Sequence, residues 1–510
     1  MNPTPEQLAV IEADFQGQLQ VNAYAGTGKT ATLLEYARRR AGEDTLYLAF
    51  NKAMATEAQQ KFLDQRHVKS MTIHSLAFRA IGKNYQDRLG NLRPMDVTEL
   101  ARPAGGINPF ITSRALIDWL NEFMSSDKEN IEEFFNAKLP GDSTLKAAKV
   151  DPGRFQGALE NLWEQVLQDK TFPFPHNAYL KLYQLSKPQL KCKHLLVDEA
   201  QDVTDCMIDI VCQQECARLL IGDSYQQIYG WNGAVDSLKK LAHLGEVMFL
   251  TQSFRCPEPI AQSANQYLKV LGAEKDFHGT TASKDTDRAC LCRTNGGVFK
   301  NAIEYMEAGD ALHFLGGFDS YNFKILLDIQ SMKEGQMNRI QDPFIRCFRD
   351  FEELQEYAEY DVELNSKVKI VDTYGPRVRP LYFQMRSEAC DRKNADVVLS
   401  TGHRSKGQEF GNVRLGNDFI SLKEELAEIH EMEEAKQTVT PIEIKQEELN
   451  LLYVAMTRSK RVLDCPEIYL LEDKEVQEIR ERAAKGQIHI VDAKGDMVES
   501  NLPEIEPSLA

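Results

Sequence analysis

Residues 21–32, VNAYAGTGKTAT, combine a short apolar strand, a glycine-rich turn and the start of a helix-forming run. Glycines at positions 26 and 28 allow successive backbone N–H groups to point into one concavity at a helix N-terminus, which suits phosphate oxygens. Lys29 would neutralise the β- and γ-phosphates, and the Thr30 hydroxyl would complete the coordination of Mg²⁺. Ala23 stands where the pattern G-x-x-x-x-G-K-[ST] has its first glycine, so a chance glycine turn is the alternative. The predicted triphosphate site comprises Ala25, Gly26, Thr27, Gly28, Lys29 and Thr30.

A second stretch, KHLLVDEAQD at residues 193–202, reads as a buried parallel strand that ends in two carboxylates. Asp198 is placed to hold Mg²⁺ through water, and Glu199 is placed to orient and deprotonate an attacking water. Transfer to a substrate hydroxyl would not need the second carboxylate here, whereas hydrolysis would. Alone, an apolar strand followed by Asp-Glu is structurally common. Together with the phosphate turn, it predicts an ATPase that uses ATP and Mg²⁺.

A third stretch, LLIGDSYQQIYGWNGA at residues 219–234, places an amide-rich turn and two aromatic residues after another buried strand. Gln226 is a candidate hydrogen-bond partner of the γ-phosphate. Tyr229 and Trp231 are candidates for stacking on the bases of a single strand. The alternative is that these two aromatic residues belong to the core under a loop.

Composition sets the broad class of the protein. The chain has 510 residues, of which 42% are hydrophobic and 27% charged, so several packed domains are expected. It shows no apolar run long enough for a bilayer, and its polar start, MNPTPEQ, does not resemble a signal peptide. We therefore expect a soluble intracellular protein without membrane contacts, cytoplasmic in a prokaryote or phage and cytoplasmic or nuclear in a eukaryote. A net charge of −17 argues against a wholly basic surface for nucleic acid but says little about a local groove.

The ten cysteines are scattered and form no C-x-x-C pairs at zinc-finger spacing. They are predicted to be reduced and mostly buried thiols. Cys206, Cys212 and Cys216 share one region of the chain and are a remote candidate for a metal site.

Six segments occur in the order found in superfamily-one helicases of the UvrD/Rep type, which this sequence resembles. They are AYAGTGKT, VDEAQD, GDSYQQIYGWNGA, LTQSFR (250–255), STGHRSKGQEF (400–410) and EELNLLYVAMTRSK (447–460). The closer resemblance is to the helicase part of the F-box DNA helicase family, through FNK (50–52), TIHSLAF (72–78), YLKLYQLSKPQL (179–190), LTQSFR and NLLYVAMTR. The match covers most of residues 5–463, and we expect no F-box segment before it.

The resemblance implies an α/β fold with two RecA-like parallel-sheet motor domains, each with an insertion, in a P-loop NTPase. The positions of the segments give the expected boundaries. The first motor domain comprises residues 1–85 and 188–250, with a helical insertion at 86–187. The second comprises residues 251–334 and 391–475, with a reduced insertion at 335–390. Residues 476–510 are expected to form a C-terminal tail.

The resemblance also implies roles in the nucleotide site. Gln7 resembles the residue that recognises the adenine edge through its amide. Since Ala31 replaces an arginine that stacks on adenine in many relatives, Phe254 is the expected stacking face. Arg255 and Arg458 resemble the two arginines that reach the γ-phosphate from the second motor domain, a task that suits a planar, permanently charged guanidinium. A further residue, Glu409, resembles one that contacts the ribose or links the nucleotide site to the strand.

For the DNA strand, the resemblance implies alternating phosphate contacts and aromatic stacking, which would tolerate any base. A lone histidine such as His74 is more often structural than a ligand, so its place inside the segment TIHSLAF, which carries the resemblance, supports the assignment. The implied strand contacts are Phe50, Asn51, Lys52, Thr72, His74, Tyr229, Trp231, Thr401 and His403.

The favoured hypothesis is an ATP-dependent translocase or helicase on single-stranded DNA. The resemblance implies 3′-to-5′ movement, with unwinding or protein removal in repair and recombination. Expected partners are single-stranded DNA, tailed or forked duplex DNA, and a protein that binds the tail or the insertions. The alternative is an ATP-gated clamp on DNA or protein that hydrolyses ATP without unwinding, for instance in a phage or defence system. A helicase fused to a nuclease, suggested by VDAKGD (491–496), is disfavoured because a metal nuclease needs further carboxylates on a sheet of its own.

Overall fold

The computed structural model describes residues 3–106, 108–141, 145, 149–230, 233–359, 361–492, 495 and 497–498. Contacts between Cα atoms divide the chain into two compact units. The first unit contains Met1–Tyr24 and Gly28–Leu250, and the second contains Ala25–Thr27 and Thr251–Ala510. Each unit is built around its own parallel sheet, so the predicted α/β class is confirmed.

The first unit contains a six-stranded parallel sheet. Its strands are β1 (Gln18–Ala23), β2 (Thr45–Ala49), β3 (Val68–Thr72), β4 (His194–Val197), β5 (Ala217–Gly222) and β6 (Gly245–Leu250). They lie in the order β3-β2-β4-β5-β1-β6. Strands such as β2, TLYLA, are buried along their whole length, as expected for a sheet covered on both faces. Because all six strands run parallel, their carboxyl ends meet at one edge of the sheet.

Helices surround this sheet, and several of them lie in the segment expected to be the helical insertion. They are α1 (Pro5–Glu12), α2 (Lys29–Arg39), α3 (Lys52–Lys61), α4 (Ile73–Ala80), α5 (Pro94–Ala101), α6 (Pro109–Ser125), α7 (Ile131–Lys138), α8 (Pro152–Gln168), α9 (His176–Leu185), α10 (Asp205–Cys212) and α11 (Ser237–Lys240). Short 3₁₀ helices occur at Gly82–Arg88, Arg102–Ala104, Leu139–Gly141, Ala200–Asp202, Ser224–Gln226 and Ala242–Leu244. Helices α5 to α9 pack around buried side chains that include Trp119, Phe123 and Phe155. The same apolar core continues into β2 and β4, through side chains such as Leu48 and Val197, so the segment between β3 and β4 packs against one face of the sheet.

The second unit contains a five-stranded parallel sheet and two two-stranded parallel sheets. Its strands are β7 (Gln252–Pro257), β8 (His278–Thr280), β9 (Arg288–Cys292), β10 (Leu312–Phe314), β11 (Val397–Thr401), β12 (Phe410–Leu415), β13 (Ile442–Lys445), β14 (Ser459–Asp464) and β15 (Ile488–Val491). The larger sheet has the order β10-β11-β9-β12-β14, while β7 pairs with β8 and β13 pairs with β15.

The helices of the second unit are α12 (Glu258–Val270), α13 (Asn295–Glu307), α14 (Ile325–Lys333), α15 (Phe351–Ala358), α16 (Val362–Tyr374), α17 (Val378–Glu388), α18 (Gly402–Ser405), α19 (Leu422–Glu434), α20 (Gln446–Met456) and α21 (Asp473–Ala484). Short 3₁₀ helices occur at Phe318–Tyr321, Met337–Arg339, Ile345–Cys347, Gly375–Arg377, Arg392–Asn394 and Glu467–Tyr469. Helices α15 to α17 lie in the segment expected to be the reduced insertion, and they share one apolar core with α13 and α14.

The expected tail is folded over much of its described length. The boundary expected between residues 475 and 476 falls inside α21, and β15 pairs in parallel with β13. Regular structure therefore continues to Val491 within the segment expected to be the C-terminal tail. Within the part of the chain that the structure describes, no helix is both long and apolar enough to cross a bilayer.

Candidate functional site

The phosphate turn has the backbone that its glycines were expected to provide. Gly26 has φ +72° and Gly28 has φ +81°, both in the left-handed region that residues with a Cβ rarely adopt. Gly28 is the N-cap of α2, so Lys29 and Thr30 occupy the first turn of that helix. The positive end of a helix thus lies directly after the glycine turn, an arrangement that favours an anion.

Asp198 follows β4 and receives three hydrogen bonds. The Thr30 hydroxyl donates to Oδ2 over 3.3 Å, and the buried Tyr47 hydroxyl donates to the same oxygen. The backbone N–H of Glu199 donates to Oδ1 over 2.9 Å. Burial, followed by the charge of Glu199, raises the pKa of Asp198 to about 6. The side chain is 1% exposed, so its negative charge is costly unless a cation is bound beside it.

These atoms fit a magnesium ion. Thr30 and Asp198 offer hydroxyl and carboxylate oxygens, which are the hard ligands that Mg²⁺ prefers, and they lie within hydrogen-bond distance of each other. A divalent cation would also compensate the buried carboxylate charge. The predicted metal pair is therefore brought together by the fold.

Glu199 and Lys29 form an ion pair, with 3.2 Å between Oε2 and Nζ. Burial acts to lower the pKa of Lys29, but the charges of Glu199, Asp223 and Asp198 outweigh it and raise the pKa. Lys29 is therefore a cation at neutral pH. A bound phosphate would take over part of its interaction with Glu199.

The backbone at Glu199 is unusual. This residue has φ +51° and ψ +49°, a left-handed conformation that costs a non-glycine residue roughly 1–3 kcal/mol. Gln201 holds its carboxylate, because the Nε2 group donates to Oε2 over 2.9 Å. Such local strain is typical of residues whose side chain must be directed to one place.

Gln226 lies at the end of a 3₁₀ turn after β5 and is 4% exposed. Its Nε2 group donates to Asp223 Oδ2 over 2.7 Å. Asp223 also contributes to the field at Lys29. The structure thus places Gln226 next to the charged groups of the phosphate turn, where the sequence predicted a γ-phosphate contact.

The Gln7 amide takes part in a capping box at the start of α1. The Thr4 backbone N–H donates to Gln7 Oε1 over 3.0 Å, and the Gln7 backbone N–H donates to Thr4 Oγ1 over 3.2 Å. Here the side-chain oxygen satisfies a helix terminus. Contact with an adenine edge would have to share or replace this bond, a structural role that the sequence analysis did not foresee.

In the second unit, Arg255 pairs with Glu409. The guanidinium contacts one oxygen of the carboxylate, with Nε and Nη2 at 2.7 and 2.6 Å from Oε1. Arg458 is 1% exposed and donates from Nε to the Val454 carbonyl over 2.9 Å. Burial, followed by the charge of Arg255, lowers the pKa of Arg458 to about 10. Arg458 is therefore still cationic at neutral pH. The Phe254 ring, which precedes Arg255 in sequence, is 40% exposed.

Three of the residues predicted to contact the DNA strand are helix N-caps. Asn51 Oδ1 accepts from the Met54 N–H over 3.0 Å at the start of α3. Thr72 Oγ1 accepts from the Ser75 N–H over 3.0 Å at the start of α4, and Thr401 Oγ1 is the corresponding cap of α18. These side-chain oxygens thus have a structural partner. Each helix begins directly after a parallel strand, so the caps also mark positive helix ends along the carboxyl edges of the sheets.

The remaining residues predicted to contact the DNA strand differ in their surroundings. The Phe50 and Tyr229 rings are stacked, with centroids 5.9 Å apart and an interplanar angle of 11°, and both rings are partly exposed. Lys52 is exposed, whereas Trp231 lies outside the described residues. Burial lowers the pKa of His74 and lowers that of His403 to about 4. Both imidazoles are therefore neutral at pH 7 and can contact phosphate only as hydrogen-bond partners.

The cysteines differ from the sequence expectation. All ten are described and free, but only four are buried, namely Cys206, Cys256, Cys290 and Cys292. The prediction of mostly buried thiols is therefore wrong. Among the described residues, no group of three or more His, Cys, Asp or Glu side chains is arranged to hold a metal ion. The remote metal candidate around Cys206, Cys212 and Cys216 is thus not supported.

Tyr47 was missed by the sequence analysis. It belongs to the buried strand β2, next to β4, and the pairing of Tyr47 with Leu196 places it beside the carboxyl end of β4. A tyrosine inside an otherwise apolar strand is a signal, because a buried hydroxyl needs a partner. The partner is Asp198, and identifying it requires the order of the strands in the sheet, which the sequence does not give.

A glycine turn at a helix start, two carboxylates after a second strand of the same sheet and two parallel sheets define a P-loop NTPase with two RecA-like domains. The UvrD/REP helicase N-terminal domain matches residues 3–242, and the UvrD-like helicase C-terminal domain matches residues 320–464. The chain belongs to the UvrD-like helicase family.

Individual relatives agree with this assignment. F-box DNA helicase 1 of Gallus gallus is 32% identical over 501 residues, which cover 90% of this chain and 48% of the relative. F-box DNA helicase protein 1 of Schizosaccharomyces pombe is 28% identical, with 90% of this chain and 57% of the relative covered. ATP-dependent DNA helicase PcrA of Staphylococcus aureus is 25% identical over 54% of this chain and 41% of the relative. The chain thus spans about half the length of these relatives.

Proposed function

We propose that this protein is an ATP-dependent translocase and helicase on single-stranded DNA. One observation carries the proposal above all. Lys29, Thr30, Asp198 and Glu199 meet at the carboxyl edge of one parallel sheet, with 3.2 and 3.3 Å between the members of the two contacting pairs. Membership of the UvrD-like helicase family supports DNA as the polymer on which ATP hydrolysis acts.

In this proposal the chain binds and hydrolyses MgATP. Magnesium would supply charge neutralisation on the β- and γ-phosphate oxygens. Thr30 and Asp198 hold the position of the metal, and Lys29 binds the phosphates through its charge. Glu199 accepts the proton of the attacking water, and Gln201 keeps its carboxylate in place. Gln226 senses the γ-phosphate from the turn after β5.

Other roles in the nucleotide site rest on resemblance. We propose Arg255 and Arg458 as contacts of the γ-phosphate, since both are cations. Glu409 would release Arg255 when phosphate is bound, and its ribose contact would follow that release. Gln7 and Phe254 are the proposed contacts of adenine.

The side chains and helix N-termini that follow the β-strands of the first unit support the proposed DNA contacts. The stacked and partly exposed rings of Phe50 and Tyr229 offer a surface for bases of any sequence. Lys52 adds a charge, and the N-termini of α3 and α4 add N–H groups for phosphates. Thr401 and His403 are the corresponding proposal for the second unit. A 3′-to-5′ direction and a role in repair or recombination are proposed from the resemblance to UvrD/Rep-type and F-box helicases.

The proposal is tested by steady-state ATP hydrolysis with no nucleic acid, single-stranded DNA, single-stranded RNA or blunt duplex DNA. We expect strong stimulation by single-stranded DNA alone, and loss of turnover in Lys29→Ala. Equal turnover under all four conditions would contradict the DNA motor.

Direction and unwinding need a second assay. Duplexes with a 3′ tail, a 5′ tail or a fork are incubated with the protein and ATP, and strand displacement is measured. Release from the 3′-tailed and forked duplexes supports the full proposal. DNA-stimulated hydrolysis without displacement of strands or of a bound protein block would favour the ATP-gated clamp.

A further inference from the structure

Two cysteines lie side by side at the edge of the first sheet opposite the carboxyl edge. Cys192 lies two residues before β4, Cys216 directly precedes β5, and these strands are parallel neighbours paired through His194 and Ala217. The two Sγ atoms are 3.6 Å apart, and both side chains are partly exposed. No role in nucleotide or DNA binding accounts for this pair, because those residues follow the other ends of the same strands.

The backbone around the pair is well fixed. The Ala217 N–H donates to the Lys193 carbonyl over 3.1 Å, and the Lys193 N–H donates to the Asp44 carbonyl over 2.8 Å. Neighbouring strands are roughly 4.8 Å apart, which lies within the Cα separations of about 4.4–6.8 Å that disulfides span. Closing the Sγ–Sγ distance to about 2.05 Å therefore needs side-chain rotation more than backbone movement.

The two thiols are also chemically unequal. The hydrogen bond from Cys192, which outweighs the effect of burial, lowers the pKa of Cys216 to about 7. The same contact raises the pKa of Cys192. Arg218, whose guanidinium is held by the Cys212 and Gln214 carbonyls, acts in the same direction on Cys216. A thiolate is the reactive form in disulfide exchange, so Cys216 is the attacking sulfur.

We propose that Cys192 and Cys216 form an oxidisable dithiol that a small-molecule disulfide, such as glutathione disulfide, converts into an intrachain disulfide. The Cys216 thiolate attacks one glutathione sulfur, which forms a mixed disulfide and releases one glutathione thiolate. Cys192 then loses its proton and attacks Cys216 Sγ, so that the second glutathione leaves as a thiolate. The protein loses two electrons and two protons overall, and the oxidant becomes two glutathione molecules.

The disulfide would link the starts of β4 and β5. The other ends of these two strands carry Asp198 and Asp223. A bond across 24 residues restricts the unfolded chain, and we expect the melting temperature of the first unit to rise by about 10 °C on oxidation. This inference does not depend on the proposed function.

The test uses the full chain in buffers with graded ratios of glutathione to glutathione disulfide. Free thiols are blocked with iodoacetamide, and cross-linked peptides are identified by mass spectrometry. We expect a Cys192–Cys216 peptide, and a fall from ten to eight reactive thiols per denatured chain. Cys192→Ser should stop at a glutathione adduct on Cys216, whereas the matched variant Cys212→Ser should form the bridge normally.

Two results would overturn the proposal. One is separate glutathione adducts on Cys192 and Cys216 of the wild-type chain without a linked peptide. The other is a bridge that forms only at ratios that also modify Cys347, Cys390 and Cys465, the partly exposed cysteines of the second unit. Reaction of the native wild-type chain with a chromogenic disulfide gives a measure that needs no variant. Two chromophores should be released rapidly, one by the attack of Cys216 and one when Cys192 closes the bridge.

Discussion

Removing the charge of Asp198 should stabilise the nucleotide-free protein while it abolishes turnover. Burial and the charge of Glu199 raise the pKa of Asp198 to about 6, from about 4 in an unfolded chain. The folded state therefore holds a proton more tightly than the unfolded state. The stability from this group is complete below pH 4 and is lost as the pH rises through 6. Above pH 6, keeping the carboxylate charged costs about 3 kcal/mol.

Asp198→Asn removes this cost but loses some complementarity. Tyr47 and Thr30 donate to one carboxylate oxygen, and the Glu199 N–H donates to the other. An amide can accept on only one side, so its NH₂ group must face hydroxyls that turn to accept, at about 1 kcal/mol. The net gain is about 2 kcal/mol at pH 7.5, a rise of about 5 °C in the melting temperature of the first unit.

The assay is differential scanning calorimetry of wild type and Asp198→Asn at pH 7.5 and pH 5, without nucleotide or magnesium. At pH 5 the wild-type penalty is about half as large, so the advantage of the variant should shrink by about 1 kcal/mol. Asp64→Asn, at an exposed side chain of the same unit, is the matched control and should shift stability by less than about 0.5 kcal/mol. A variant that is less stable at pH 7.5, or a gain that does not change with pH, would refute the argument.

Other changes separate the proposed roles. Glu199→Gln should lower kcat for ATP by about 10²- to 10⁴-fold while nucleotide binding persists, measured by single-turnover hydrolysis and titration with a fluorescent ATP analogue; wild-type turnover would exclude Glu199 as the base. Tyr47→Phe removes one hydrogen bond to Asp198 and should raise the magnesium concentration for half-maximal activity by about 5- to 10-fold, with little change in kcat at saturation; an unchanged magnesium dependence would show that the hydroxyl is only structural. Phe50→Ala should weaken binding of a labelled oligonucleotide by about 5- to 100-fold, measured by anisotropy, and leave DNA-free hydrolysis intact; equal loss of both would assign the ring pair to the core.

The sequence predicted those parts of the site whose structure is determined by residues close together in the chain. Glycines at positions 26 and 28 require left-handed backbone, and the run Leu195–Val197 requires a buried strand, so Lys29 and Asp198 could be placed from their neighbours in sequence. The resemblance added the order of the segments. The domain boundaries and the individual site roles remain predictions.

Other features depend on the order of strands in the sheet. The contact from Tyr47 to Asp198 exists because β2 lies beside β4, although 151 residues separate the two side chains. The resemblance implied DNA contacts for the two capping threonines, and a hydroxyl can serve either as a helix cap or as a phosphate contact. Only the local geometry shows that Thr72 and Thr401 accept bonds from their own helices.

The order of the β-strands also brings the residues proposed for nucleotide binding close to those proposed for DNA binding within the first unit. Tyr47 contacts Asp198, and Phe50 follows three residues later at the end of β2, where it stacks on Tyr229. Tyr229 in turn follows Gln226 by three residues in the segment after β5, and Gln226 is bonded to Asp223. The aromatic pair is thus connected to the carboxylate group from two sides by short segments of backbone. We propose that a movement of Asp198 or Asp223 on binding MgATP shifts both rings together, so that the proposed DNA stacking depends on the bound nucleotide.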